Sequence, residues 1–150
     1  MKLVDIVKKG NQRMNTKNMI AEMKDRKVTL STLWIFVMFN YIYLDIAMMN
    51  FNPEVYQKMA KRMTPEIVLG FAALMEIAIA MPLLSRVLKY RANRWANILA
   101  GVVFTAFVAL TLFGGRPPLY FIFVSTLEIA CTVFIAWYAW TWPNPEGQPE

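Results

Sequence analysis

The sequence predicts an all-α integral membrane protein: a four-helix bundle with both termini in the cytoplasm and a short amphipathic helix in its first external loop. Three observations carry this. Hydrophobic residues make up 57% of the 150 residues and the mean hydropathy is +0.37. A soluble core of this size cannot hide so much apolar surface, so lipid must cover the remainder. The apolar residues fall into four runs, at 28–49, 66–88, 95–113 and 118–140, each near the ~20 residues a helix needs to cross ~30 Å of hydrocarbon. Finally, the leader at 1–27 and the second loop (Arg86, Lys89, Arg91, Arg94) together hold twelve Lys/Arg, whereas the first and third loops hold four. The positive-inside rule then places the leader, the second loop and the C-terminus on the cytoplasmic side of the membrane.

Residues 1–27 read as a basic leader with eight Lys/Arg against three acids. Its apolar groups (Leu3, Ile6, Val7, then Met19, Ile20, Met23) fit a weakly amphipathic surface helix broken near Gly10, or else a partly disordered tail. Met1, Met14, Met19 and Met23 are all candidate starts. No small-x-small cleavage site follows the first apolar run, which is therefore a span and not a signal peptide. Asn52-Pro53-Glu54 then reads as N-cap, first helical residue and dipole-favoured acid, opening a short amphipathic helix (Val55, Tyr56, Met59, Met63 against Lys58, Lys61, Arg62). Thr64-Pro65-Glu66 repeats that signal at the second span, where Pro82 is expected to bend the inner part. Gly114-Gly115-Arg116-Pro117-Pro118 is a tight turn before the fourth span, and residues 143–150 have the composition of a disordered tail. With the helices alternating in direction, Trp34, Trp95, Trp137, Trp140 and Trp142 all fall towards the cytoplasmic interface, the region tryptophan prefers.

Composition also excludes chemistries. There is no His and one Cys, Cys131, so imidazole acid–base chemistry, an intrachain disulfide and a Cys-x-x-Cys redox pair are ruled out. Cys131 has no nearby base or cation to activate it and reads as a packing residue. No phosphate loop, hydrolase pattern or zinc spacing is present, and no cofactor or metal is expected. The net charge of +6 lies in loops and termini, where it suits anionic lipid headgroups; nucleic acid is not the partner.

Polar residues within the spans are the candidate site. Glu76 and Glu128 each fall about ten residues in from the outer end of their spans, with Asn40 and Thr105 at similar depth and Asp45 nearer the outer surface. A charge at mid-bilayer costs roughly 2.5–3.5 kcal/mol on insertion scales, so such groups face protein or water. Helical spacing puts Ser125, Glu128, Thr132 and Ala136 on one face of span four, Ala73, Glu76 and Ala80 on one face of span two beside Ala72, and Asn97, Gly101 and Thr105 on one face of span three. Small residues beside a polar one permit close helix approach, which sets Glu76 and Glu128 near the bundle axis, with Phe123 and Phe134 facing lipid. The membrane-buried stretches hold no Lys, Arg or His to balance the two acids. Either they hold protons or a cation, as in proton coupling or amine recognition, or two protonated acids tie the helices together. Asp45 lies roughly 140° around its helix from Asn40 and one turn beyond Tyr41, a possible donor to it. Asp45 therefore marks an outer vestibule or reaches the headgroups. Leu74-Met75-Glu76-Ile77-Ala78 also echoes Thr126-Leu127-Glu128-Ile129-Ala130, as a parallel repeat of two hairpins would, though spans one and three align poorly at that offset.

The stretches Leu30-Ser31-Thr32-Leu33-Trp34-Ile35-Phe36, Leu74-Met75-Glu76-Ile77, the run 84–95 and Glu128-Ile129-Ala130-Cys131 resemble a family of small bacterial four-helix membrane proteins, domain-of-unknown-function family 6326. The likeness covers about residues 28–142 and implies a fold and a location without an activity. The general shape also looks like the DoxX-like proteins, some of them linked to quinone-dependent oxidoreduction, by architecture alone. The leading expectation is a protein, not an enzyme, that binds or transports a proton, cation or small polar ligand through its intramembrane carboxylates. An accessory subunit of a redox, quinone or other membrane complex is the runner-up, and a lipid-active isomerase using the acids as general acid and base is third. The expected partners are the bilayer and a second copy or another membrane protein.

Overall fold

In hydrocarbon every backbone N–H and C=O must be bonded within the chain, which drives each apolar run into a helix. The computed structural model describes residues 2–113 and 116–143, with side chains described from Met14 onward. The described residues form five helices and no strand: α1 (Lys2–Phe51), α2 (Pro53–Ala60), α3 (Pro65–Val87), α4 (Tyr90–Phe113) and α5 (Leu119–Trp140). Four of these, α1 from Met14 onward, α3, α4 and α5, are long and apolar enough to cross a membrane. At 1.5 Å per residue, the 22–24 residues of α3, α4 and α5 reach about 33–36 Å, enough to span the ~30 Å core. Gly114, Gly115 and the tail at 144–150 lie outside the described residues.

Helix boundaries depart from the apolar runs in two places. α1 is continuous through Gly10, 50 residues long and so about 75 Å. A glycine in a helix interior costs only about 1 kcal/mol relative to Ala, too little to break a helix with good formers on both sides. α4 begins at Tyr90, five residues before its apolar run, because Arg91 and Arg94 are acceptable in a helix although not in hydrocarbon. The start signals behave unequally. Pro53 and Pro65 occupy the first turns of α2 and α3 as their fixed φ favours, yet neither Asn52 nor Thr64 makes a side-chain cap bond. The Asn52 amide instead donates to Tyr120 Oη at 2.6 Å, tying the end of α1 to the start of α5.

α1 is the organising helix. It buries Leu30, Trp34, Val37, Tyr41, Leu44 and Ala47, a three-four alternation that gives a narrow seam of the kind seen in bundle helices. α1 packs on α3 and α5, α4 packs along α5, and α3 touches α4 more sparingly. The α4–α5 seam is closest at Gly101, where an added Cβ would lie 2.9 Å from the Thr132 carbonyl and 3.0 Å from Ala136 Cβ. The faces expected to meet lipid do lie on the outside: Phe123 and Phe134 are exposed.

Cations gather at one end and close the helices there. Lys27 Nζ donates to the carbonyls of Leu88 (2.6 Å) and Arg86 (3.4 Å), at the C-terminus of α3. Arg94 Nη2 donates to the Trp140 carbonyl at 3.2 Å, and Arg26 Nη1 to the Tyr138 carbonyl at 3.3 Å, both at the C-terminus of α5. These pairings answer carbonyls at the helix ends and complement the negative end of the helix dipole. Arg26 also lies 4.8 Å over the Tyr138 ring, and Tyr90 Oη donates to the Trp142 carbonyl at 2.8 Å. Residues 26–31, the turn between α3 and α4, and the end of α5 therefore share one end of the bundle.

Candidate functional site

Two polar clusters occupy the interior, separated by an aromatic layer. Nearer the basic end, Asn97 is the hub of an amide network. Its Oδ1 accepts from Trp34 Nε1 (2.8 Å) and Ser85 Oγ (3.2 Å), and its Nδ2 donates to the carbonyl (2.9 Å) and Oδ1 (2.7 Å) of Asn93. Asn93 in turn donates to the Ser85 carbonyl at 2.5 Å. All four residues are fully buried, and their groups answer one another, as a buried network requires. Ser31 joins this end by accepting from Arg86 Nε at 3.1 Å. The network welds α1, α3 and α4 together; its chemistry is cohesion.

Sequence reasoning missed this network. Trp34 was expected at the membrane interface, but it is wholly buried because its indole N–H finds an amide acceptor inside. Asn93 was read as loop. The available signal was the stripe Asn93, Asn97, Gly101, which repeats every four residues on α4.

Phe104 separates the clusters. Fully buried, it meets the Trp34 ring edge-on at 5.6 Å on one side and the Tyr41 ring at 6.0 Å on the other. Beyond it, α5 turns Ser125, Glu128 and Thr132 inward, all at 1% exposure or less. The Thr132 and Thr105 hydroxyls are 2.8 Å apart, and each also has a carbonyl of its own helix in reach, Glu128 for Thr132 (2.9 Å) and Gly101 for Thr105 (2.7 Å), so that one hydroxyl donates to the other and the second donates to its carbonyl. These two are internally satisfied. Three neighbouring groups are not: Tyr41 Oη, Ser125 Oγ and Glu128 Oε1 are buried without a hydrogen-bond partner in the protein. Glu128 is within electrostatic range of Tyr41 and of Asp45, which lies one turn from Tyr41 towards the far end of α1. A carboxyl, a phenol and a hydroxyl thus converge from α1 and α5 with bonding capacity to spare.

The expected site residues divide. Glu128 is buried and belongs to this cluster; Thr105 stands beside it through Thr132. Asn40 is half-buried and donates to the Phe36 carbonyl of its own helix at 2.8 Å. Asp45 is exposed, and the expected bond from Tyr41 to it is not made. Glu76 is also exposed, so the pairing of Glu76 with Glu128 near the bundle axis is corrected. The core face of α3 is Ala78, Met81 and Ser85, about 140–180° around the helix from Glu76. Ala73 is exposed with it and Ala80 half-buried. Cys131 packs in the core with its thiol 3.9 Å from the Leu33 carbonyl. Among the described residues no group of three or more His, Cys, Asp or Glu is arranged to hold a metal ion.

Four long apolar helices and an interior polar cluster define a multi-pass helical membrane protein. A family model described as a family of unknown function, domain-of-unknown-function family 6326, matches residues 18–147, and the chain belongs to that family. No curated protein and no solved structure matches it. The architectural likeness to the DoxX-like proteins gains no support from these comparisons.

Proposed function

We propose that this protein sits in a bacterial inner membrane with both termini and the α3–α4 turn in the cytoplasm, and binds a small cationic ligand at Tyr41, Ser125 and Glu128. One observation carries the site: three buried polar atoms on facing helices have no partner in the protein. Each unanswered group costs about 1–3 kcal/mol, a cost that a ligand offering donors would remove. The charge of that ligand follows from the sequence. Neither 28–49 nor 119–140 contains a Lys, Arg or His, so the positive partner for the Glu128 carboxylate comes from outside the chain, as a proton or as a cation such as an ammonium group. An ammonium donates three hydrogen bonds, matching one carboxylate oxygen and two hydroxyls. Asp45, exposed and in electrostatic range of Glu128, supplies a negative approach to the site.

The test is a thermal-shift series on the purified protein in nanodiscs with alkali cations, alkylammonium salts and quinones. A ligand at a hundred times its Kd stabilises by about 2.7 kcal/mol, a readily measured shift. An ammonium or cation should raise the melting temperature of the wild type. Glu128→Gln and Tyr41→Phe should abolish that rise. A full shift retained by Glu128→Gln, or no response to any cation, would refute the reading.

A further inference from the structure

Glu76 is the one ionisable side chain in the body of α3 that the bundle does not enclose. It is the twelfth of the 23 residues from Pro65 to Val87, about 16 Å from either end and hence at mid-membrane depth. It points away from the core face of Ala78, Met81 and Ser85, and it makes no hydrogen bond or ion pair with any described residue. A carboxyl left in hydrocarbon at that depth keeps both a donor and an acceptor unanswered, which is why intramembrane acids face protein or water. Its neighbours at one helical turn, Ala72, Ala73, Ile79 and Ala80, are exposed or half-buried with it, so this face of α3 looks out of the bundle.

From this placement we infer that α3 is the contact helix of a homodimer, with Glu76 of each copy bonded to Glu76 of the other across a two-fold axis. The chemistry selects the occupant. A carboxylic acid is self-complementary, since its O–H donates to the partner's C=O and accepts the reverse bond, so a two-fold axis beside Glu76 answers all four groups at once. Lipid headgroups lie at the ends of α3, about 16 Å from Glu76, whereas a second copy brings the same acid to the same depth. Steric conditions agree. Ala72, Ala73 and Ala80 flank the acid, so two α3 helices can cross closely at Glu76, with the exposed Leu69, Ile79 and Leu83 packing around the crossing. α3 is also the least enclosed span, with 11% of its apolar window buried against 33% and 28% for α4 and α5. The surface is separate from the Glu128 cluster, and neither reading depends on the other.

The full chain in nanodiscs and in detergent tests this. Sedimentation in a density-matched detergent should give twice the 17.3 kDa chain mass. Glu76→Leu, a substitution lipid tolerates, should weaken the dimer about tenfold, whereas Glu76→Gln, whose amide is likewise self-complementary, should stay within threefold of the wild type. In a Cys131→Ala background, Ala73→Cys and Ala80→Cys should cross-link between copies on mild oxidation. Val102→Cys, exposed on α4, should not. A wild-type monomer, a Glu76→Leu dimer as tight as wild type, or cross-links from Ala73→Cys only to a different polypeptide in native membranes would each overturn the proposal.

Discussion

At the scale of single residues, the two buried clusters call for opposite behaviour on substitution. In the amide network every group is answered, so removing one member strands the rest. Trp34→Phe and Asn97→Leu should each destabilise the protein, and their double-mutant cycle should return a coupling of about 0.6–1.7 kcal/mol, the range of interhelical hydrogen bonds in membranes. Denaturation in mixed micelles measures it, and a coupling near zero would mean that the 2.8 Å bond contributes no cohesion. Glu128 is the reverse case. Its Oε1 is already unanswered, so Glu128→Leu should stabilise the ligand-free protein by about 1 kcal/mol while abolishing binding. Loss of stability instead would show that the acid is a structural tie. The contrast explains why composition alone misjudged these sites. An acid draws attention by its charge, whereas Asn93, Asn97 and Ser85 are unremarkable residues until packing joins them.

At the scale of the element, glycine separates packed helix faces from open ones. Gly101 has the Thr132 carbonyl and Ala136 within about 3 Å of where a Cβ would stand, whereas Gly70 on α3 has nothing within 4 Å. Gly101→Ala should push α4 from α5, lengthen the Thr105–Thr132 contact and cost about 1–3 kcal/mol. Gly70→Ala should be neutral or stabilise by about 0.5–1 kcal/mol through helix propensity. Equal effects in an unfolding titration would undo the α4–α5 packing. The stripes Ser125–Glu128–Thr132 and Asn97–Gly101–Thr105 were legible from spacing because small and polar residues recur every three or four positions, and the structure buries Ser125, Glu128, Thr132, Asn97 and Gly101. The stripe through Glu76 was not. A wheel centred on a polar residue shows which residues share its face, but which face is buried depends on the neighbouring helix.

At the scale of the whole molecule, the basic end is the reference point for orientation. Lys27, Arg26 and Arg94 hold the ends of α3 and α5 at one end of the bundle, so a single sidedness applies to the α3–α4 turn, the close of α5 and the part of α1 near Lys27. Reporter fusions after Trp142 and within the α3–α4 turn should both score cytoplasmic, and a fusion in α2 should score external. An external C-terminal reporter would invert the proposed orientation and place Asp45 on the cytoplasmic side.

The number of spans, their order and the clustering of cations are properties of the chain read one residue at a time. The apolar length needed to cross lipid and the cost of burying a Lys are local quantities, so the sequence by itself determined them. The length of α1 through Gly10, the burial of Trp34, the amide hub at Asn97, and the separation of Glu76 from Glu128 were decided by tertiary structure. Each depends on which residue of another helix stands opposite, and helical periodicity defines a face without naming its neighbour. Glu128 was found from sequence because its stripe on α5 happened to meet the Tyr41 seam of α1; Glu76, also a glutamate near the middle of its helix, was turned outward by the packing of Ala78, Met81 and Ser85.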